Sequence, residues 1–186
     1  MIKSKYDYLE YLQKDKEALG MKRRHPRIFG DEVWKFEIIL RKHEYYMNVR
    51  QKDPIGKMLY LYYKMRHHYY GIKLGFEIPA NVFGKGLRIN HYGYIVINPH
   101  ARVGDFCDLH QGVHVGRNIK EGSVPKIGNN VWIGPGAKLF GDIKIADNIM
   151  IGANSVVNRS ILESDVTVAG VPAKIVKKQA NPWKRK

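Results

Sequence analysis

An aliphatic residue returns at every sixth position along much of this 186-residue chain, and this period belongs neither to an α-helix nor to an ordinary β-strand. In steps of six from Ile97 to Val157, ten of the eleven positions hold Leu, Ile or Val, and only Glu121 breaks the series. A repeated unit of short strand and turn, with its aliphatic side chain pointing inward, is typical of a parallel β-helix. Three such units make one triangular coil. The aliphatic members are Ile97, Val103, Leu109, Val115, Ile127, Ile133, Leu139, Ile145, Ile151 and Val157.

A second column of residues supports this period. The residue four places after the aliphatic is small or apolar at Ala101, Cys107, Val113, Val131, Ala137, Ile143, Ile149, Ser155 and Ile161. The residue directly after the aliphatic is often glycine, as at Gly104, Gly116, Gly128, Gly134 and Gly152. Because glycine tolerates left-handed backbone, these glycines are predicted to form tight turns. The sequence therefore predicts a mainly β fold whose coils stack about 4.8 Å apart.

The amino-terminal part of the chain lacks the six-residue period and shows helical spacing of its apolar residues instead. One helix is predicted to end at Gly20, and a second to begin after Asp31, its N-cap. A third is predicted to run from Pro54 to about Gly71. These three helices would form a small α-helical cap.

The positive charge of the chain is unevenly distributed. The formal net charge is +15, of which residues 1–75 carry +8, residues 76–176 carry +2 and residues 177–186 carry +5. We interpret these segments as the helical cap, the β-helix domain and a basic tail. A nearly neutral repeat domain argues against a nucleic-acid-binding face. The basic ends are either a solvated surface or a weak contact for an anionic membrane, and the cap tyrosines are either core or subunit contacts.

Two further features indicate the compartment. The only cysteine, Cys107, falls in the inward column and is predicted to be a buried thiol, so no disulfide is expected. No apolar run approaches 18 residues, and charged residues interrupt the amino terminus. Neither a spanning helix nor a signal peptide is therefore predicted, and we expect a cytoplasmic protein.

One histidine occupies a position where the repeat calls for an aliphatic residue. Counting back six from Ile97 leads to His91. Either this side chain is buried in the prism, or the backbone departs from the regular coil and turns it outward. An isolated imidazole in an apolar core would lose its hydrogen bonds, so we predict that His91 points outward.

Beyond the bare repeat, five ordered motifs in residues 76–176 resemble the serine acetyltransferases and their relatives that O-acetylate sugars of bacterial surface polysaccharides. The resemblance implies a left-handed parallel β-helix, acetyl-CoA as co-substrate, no metal, and a homotrimer that holds its cofactor between neighbouring prisms. The motifs are Gly-Leu-Arg-Ile-Asn-His at 86–91, Gln-Gly-Val-His-Val-Gly at 111–116, Ile-Gly-Pro-Gly-Ala-Lys at 133–138, Ile-Gly-Ala-Asn-Ser-Val at 151–156 and Ala-Gly-Val-Pro-Ala-Lys at 169–174.

The same resemblance assigns catalytic roles. It makes His91 the general base and Glu77 its acidic partner, if one residue is deleted before Gly84; an ungapped match would place Phe76 there instead. A base is needed because an alcohol is a poor nucleophile at pH 7, and the unperturbed pKa of imidazole suits this task. Transfer is expected to be direct, within a ternary complex.

The resemblance also implies where the cofactor lies. The pantetheine arm would lie against turns at Gly134, Gly136, Ala137 and Ala153, with the nucleotide phosphates near Lys174. Small residues let backbone amides approach an extended ligand. Each of these small residues would equally serve the turns of the repeat.

Candidate acceptor residues are less defined. His110 lies one coil beyond His91 and is either an acceptor or cofactor contact or a surface turn histidine. Arg117 and Lys120 belong to the segment in which the repeat fails, and loops on rigid scaffolds often bind ligands. The serine enzymes carry a histidine before the proline of this loop, where this chain has Val124.

We therefore expect the acceptor to be a sugar hydroxyl, with serine as the alternative. The short cap and the Trp-Lys-Arg-Lys end of the chain at 183–186 also differ from typical serine enzymes. An alternative of a different class is a non-catalytic trimeric scaffold, which the intact His91 disfavours.

Overall fold

In the part of the chain that the structure describes, three helices are followed by fourteen short strands. The structure, a computed structural model, describes residues 1–119, 124–179 and Pro182. The helices are α1 Lys5–Ala18, α2 Glu32–Asn48 and α3 Pro54–Leu74. The strands are β1 Phe76–Glu77, β2 Arg88–Ile89, β3 Ile95–Ile97, β4 Arg102–Val103, β5 Asp108–Leu109, β6 His114–Gly116, β7 Lys126–Ile127, β8 Trp132–Ile133, β9 Lys138–Phe140, β10 Lys144–Ile145, β11 Met150–Ile151, β12 Val156–Val157, β13 Thr167–Gly170 and β14 Ala173–Lys177.

The strands form three parallel sheets, which are the faces of a triangular prism. Face A has the order β1-β3-β6-β9-β12, face B has β4-β7-β10, and face C has β2-β5-β8-β11-β13. Strand β14 is added to face C by antiparallel pairing with β13. From β2 to β12, each strand lies on the face next to that of the strand before it, so each turn of the chain adds one rung to every sheet. The predicted left-handed parallel β-helix with an amino-terminal helical cap is confirmed.

The two predicted inward columns fill the interior of the prism. Every described member of both columns is buried, including Cys107, which is 1% exposed and has no disulfide partner. Burial raises the pKa of the Cys107 thiol well above its usual range, so this group stays protonated and unreactive. Among the described residues, no helix combines the length and apolar composition that a membrane span requires.

The interpretation of the repeat glycines as left-handed turns is wrong. Left-handed backbone occurs elsewhere in the turns, for example at Asn130 and Gly136, where φ is 53° and 71°. Gly134 has another reason to be glycine, because a Cβ there would lie 2.7 Å from the carbonyl oxygen of Ile151 in the next coil. Glycine is therefore required at this position because the coils stack too closely there to admit a side chain.

The third helix extends beyond its predicted end. Gly71 is buried inside α3, where a Cβ would lie 2.7 Å from the carbonyl oxygen of Phe76. The helix stops at Gly75 instead, which has the left-handed φ of 75° typical of a helix C-cap. The chain then enters β1 directly.

Carboxylates of the cap cover the open edge of the first coil. Asp15 accepts a hydrogen bond from the backbone N–H of Leu87 at 2.9 Å, and Glu37 accepts one from Ile89 at 3.0 Å. These N–H groups lie on edge strand β2 or beside it, where no further coil exists to pair with them. Edge strands invite aggregation, so the cap both seals the prism and fixes the position of the helices on it.

Candidate active site

The predicted site residues gather along one edge of the prism. We call this edge the C–A corner, because its turns at 90–94, 110–113, 134–137 and 152–155 carry the chain from face C to face A. Backbone hydrogen bonds stack neighbouring turns, for example from Gly136 N to Gln111 O at 2.9 Å. The fold thus aligns residues that are far apart in sequence.

His91 lies in the first turn of this corner and is exposed. It lines a cavity of about 440 Å³ between the corner and the cap segment from Leu19 to Trp34. Its ring centroid is 6.3 Å from that of His110, one coil further along. The predicted outward orientation of His91 is confirmed, and its imidazole is accessible to a small substrate.

His110 is more enclosed than a surface turn histidine. Its side chain is 14% exposed, and its ring packs edge-on against Trp132 with centroids 4.8 Å apart. Its Nε2 lies 3.7 Å from Oδ1 of Asp108. Burial lowers the pKa of His110, although the nearby Asp108 carboxylate opposes this shift. The ring is therefore neutral at pH 7 and lies between His91 and the glycine turns.

Asp108 is a member of this cluster that the sequence analysis missed. Its side chain is 4% exposed and accepts hydrogen bonds from Arg88, at 3.2 Å, and from the amide of Asn90. Arg88, Asp108 and Trp132 are direct neighbours across β2, β5 and β8. The sequence offered one indication of this contact. Arg88 and Asp108 each stand directly before an inward aliphatic residue, so their side chains could face one another across neighbouring coils.

Glu77 lies on a different side of the first turn from the cavity of His91. It is exposed in β1, pairs with Val96, and lines a cavity of about 560 Å³ together with His68 and Tyr94. Within the described part of the chain, no hydrogen bond joins Glu77 to His91. Their pairing as acid and base remains a prediction.

The predicted cofactor residues occupy the later turns of the C–A corner. Gly134 and Gly136 lie in the third turn and the exposed Ala153 in the fourth. Ala137 is fully buried, so that only its backbone could face a ligand. Lys174 is exposed on β14, beside Ala169 at the far end of face C.

The other acceptor candidates do not join this cluster. Arg117 is exposed and lines a separate cavity of about 260 Å³ with His114, Lys138 and Phe140. Lys120, Glu121 and residues 183–186 lie outside the described residues. Within residues 1–119 and 124–179, no three His, Cys, Asp or Glu side chains form a group that could hold a metal ion.

Comparisons with known proteins agree with this arrangement. Residues 125–159 match the bacterial transferase hexapeptide (six repeats) family. The serine acetyltransferase of Synechococcus elongatus is 40% identical over 116 residues, which cover 61% of this chain and 47% of that protein. The Staphylococcus aureus strain Mu50 enzyme is 46% identical over 106 residues, covering 55% and 49%.

Solved structures extend the likeness to the cap. The serine acetyltransferase of Brucella abortus strain S19 in complex with coenzyme A has a TM-score of 0.73 at 26% identity, covering 95% of this chain and 70% of that chain. The Neisseria gonorrhoeae serine acetyltransferase has a TM-score of 0.69 at 28% identity, covering 94% and 68%. This chain is similar to the serine acetyltransferases.

The resemblance inferred from the motifs is confirmed. The expectation of a sugar acceptor, however, is not supported. The chain spans about half the length of the curated serine acetyltransferases it matches. These relatives act on serine by name, and none of them supports the sugar acceptor that we expected. The comparisons therefore favour the serine alternative. The absence of a histidine at position 124 therefore indicated the acceptor less well than the similarity of the β-helix domain to the serine acetyltransferases.

Proposed function

We propose that this protein is an acetyl-CoA-dependent serine O-acetyltransferase. The observation that carries this proposal is the exposed imidazole of His91 on the same prism corner as the glycine turns at 134–137. The serine acetyltransferases that resemble this chain, including one solved with coenzyme A, support the choice of donor and acceptor.

In this mechanism His91 takes the proton of the serine hydroxyl as its oxygen attacks the thioester carbonyl. The new C–O bond gives a tetrahedral intermediate, whose oxyanion accepts hydrogen bonds from backbone N–H groups of the corner. Collapse breaks the C–S bond, and the imidazolium returns its proton to the departing thiolate. The products are O-acetylserine and coenzyme A. General-base help of this kind contributes typically about 10²–10⁴-fold.

The C–A corner would hold the cofactor in an extended form. With coils about 4.8 Å apart, the four steps from the turn of His91 to the end of β13 span about 19 Å. Small residues at Gly136 and Ala153 leave the backbone open to a pantetheine arm. Lys174 lies near the far end, where its ammonium would meet the nucleotide phosphates.

A homotrimer is the proposed assembly, and α3 supplies an observation that favours self-association. Six large apolar side chains of α3 are exposed at alternating spacings of three and four residues, which is the seam of a coiled coil. Together they offer on the order of 700 Å² per copy, close to what one partner buries in a specific interface. We call them the α3 stripe: Ile55, Met58, Tyr62, Met65, Tyr69 and Ile72.

An acceptor screen tests the proposed function. The release of free thiol from acetyl-CoA would be measured with L-serine, with a panel of sugars and nucleotide sugars, and with no acceptor. The proposal predicts release that depends on L-serine. Release with a sugar alone would instead restore the sugar acceptor, and release with neither would favour a scaffold.

A further inference from the structure

The turn that carries His91 is held to the cap at both of its ends. Two residues before His91, the backbone N–H of Ile89 donates to Oε1 of Glu37 on α2 at 3.0 Å. Two residues after it, the backbone N–H of Gly93 donates at 2.8 Å to the carbonyl oxygen of Leu74, the last residue of α3. The imidazole therefore stands on a short segment whose position depends on two cap helices.

Of these two contacts, only the one with Glu37 is made by a side chain. The backbone N–H of Asn90 donates to the carbonyl oxygen of Leu109 in the next coil at 2.9 Å, whereas that of the preceding Ile89 donates to the cap. Strand β2 is the edge of face C, so Glu37 supplies the acceptor that a neighbouring strand would supply further along the sheet. A substitution can thus remove this contact without touching the backbone.

Glu37 is enclosed at the boundary between cap and prism. It is 1% exposed, and within residues 1–119 and 124–179 its buried Oε2 has no hydrogen-bond partner. Burial, followed by the charge of Asp15, raises the pKa of Glu37 well above its usual range. Glutamine offers the same acceptor in nearly the same shape without a charge, so it is the closest replacement.

Helix α2 also forms a wall of the cavity that contains His91. Trp34, about one turn before Glu37, lines this cavity and is 3% exposed. The same helix therefore supplies both the wall and, through Glu37, the bond to Ile89. This bond sets the separation between the wall and the segment that carries the base.

We propose that Glu37 is a positioning residue for acetyl transfer, which holds the turn of His91 at its working distance from the cap. The inference rests on the proposed function and adds a residue that acts through the backbone. Misplacement of a reacting group by about 1 Å can cost about 10²-fold in rate. The backbone amides of Gly134 and Gly136 donate to neighbouring coils, so the cofactor turns should stay in place when the bond to Glu37 is lost.

Three variants separate positioning from stability. Glu37→Met removes the acceptor, whereas Glu37→Gln keeps it. Glu44→Met is the matched control, because Glu44 lies on the same helix, is also 1% exposed and accepts a bond from the backbone N–H of Asn81 at 2.7 Å, where neither residue lines the cavity of His91. For each variant, kcat with L-serine, KM for acetyl-CoA and the free energy of unfolding would be measured.

The division between kcat and KM is the decisive readout. Glu37→Met should lower kcat by about 10- to 100-fold with an unchanged KM for acetyl-CoA, and Glu37→Gln should keep the wild-type kcat. Glu44→Met should lose stability but not kcat. Equal falls of kcat in Glu37→Met and Glu44→Met, or no fall in Glu37→Met, would refute the positioning role. If Glu37→Met does not fold, Glu37→Asp draws the acceptor back by one methylene and should lower kcat in the same way.

Backbone amide hydrogen exchange tests the positioning without turnover. In Glu37→Met, exchange from Ile89 to Gly93 should become faster while exchange at 134–137 keeps its wild-type rate, and Glu37→Gln should exchange like the wild type. Unchanged exchange at Ile89 in Glu37→Met would overturn the inference. A wild type that transfers no acetyl group to L-serine would refute the proposed function instead, and the exchange rates would still show whether Glu37 holds the turn.

Discussion

Arg41 of α2 donates from Nε to the Asp15 carboxylate of α1 over 2.7 Å, and neither side chain is more than 3% exposed. The same guanidinium reaches Glu44 at 2.9 Å and the backbone carbonyl oxygens of Phe83 and Gly84 at 3.1 and 2.6 Å. One buried arginine thus ties two cap helices to the first coil. The charges are tolerated there because each is paired.

Removal of this arginine should strongly destabilise the protein. Arg41→Met leaves two buried carboxylates without their cation, and breaking such a pair costs about 3–5 kcal/mol. The free energy of unfolding in urea measures the loss. Arg50→Met is the matched control, because the Arg50–Asp53 pair at 2.8 Å is exposed to solvent, where an ion pair contributes little to stability. Equal losses in the two variants would contradict the assigned role of Arg41.

A contact between the buried His43 and the half-buried His67 should make the cap sensitive to acid. Nδ1 of His43 lies 3.0 Å from Nδ1 of His67, and burial lowers the pKa of each to about 4. Unfolded histidine has a pKa near 6.5, so the unfolded chain binds more protons between these values. The stability that the neutral pair contributes is complete above pH 6.5 and is lost as the pH falls through about 4.

Thermal unfolding midpoints from pH 7.5 to 4 would measure this loss. His67→Gln keeps a hydrogen-bonding group but cannot be protonated, so its midpoint should fall less steeply with pH than that of the wild type. His25→Gln is a control at an exposed loop histidine and should follow the wild type. Parallel curves for all three proteins would rule out the His43–His67 pair as the acid-sensitive element.

The α3 stripe should hold the subunits together. Met65 is 70% exposed at the centre of the stripe, and Met65→Glu would place a charge in the seam. We expect sedimentation to show the wild type near three times 21.5 kDa and this variant shifted toward the monomer. Lys57→Glu changes an exposed residue outside the stripe and should leave the assembly intact. A Met65→Glu trimer would show that other surfaces form the interface.

The prism could be predicted from the sequence, but the side-chain contacts between its coils could not. The six-residue period identified the inward columns, because burial repeats with the chain. Coil lengths vary, however, and Leu109 pairs with Ile89 twenty positions earlier instead of eighteen. The contact of Asp108 with Arg88 depends on that register, so it could not be counted from the repeat.

The seal between cap and prism was likewise not predictable. It joins Asp15 to Leu87 and Glu37 to Ile89, and no local pattern marks such distant pairs. His91 was found because it violates the period, whereas Asp108 and Arg88 stand just before inward aliphatic residues, at positions on which the period places no constraint. In a periodic sequence, a residue that breaks the period can therefore be identified, whereas contacts between side chains of neighbouring coils cannot.

Glu77 should contribute less to catalysis than the base itself. If its carboxylate orients His91 when substrates are bound, Glu77→Gln should lower kcat by about 10-fold, because an orienting group is lost while the base remains. Glu163→Gln is the control, since Glu163 is exposed and pairs with Lys178 at 2.9 Å, outside the corner. An unchanged kcat in Glu77→Gln would assign the acidic partner elsewhere, and Asp108→Asn would then be the next variant to measure.

His91 is the proposed base for acetyl transfer to serine. The most direct test of this role is the steady-state rate of coenzyme A release from acetyl-CoA with L-serine, together with acetyl-CoA affinity, in the wild type, His91→Ala and the exposed-turn control His100→Ala. We predict that His91→Ala lowers kcat by about 10²-fold or more while acetyl-CoA affinity and the His100→Ala rate stay near the wild-type values. A His91→Ala protein that keeps nearly full turnover would contradict this account.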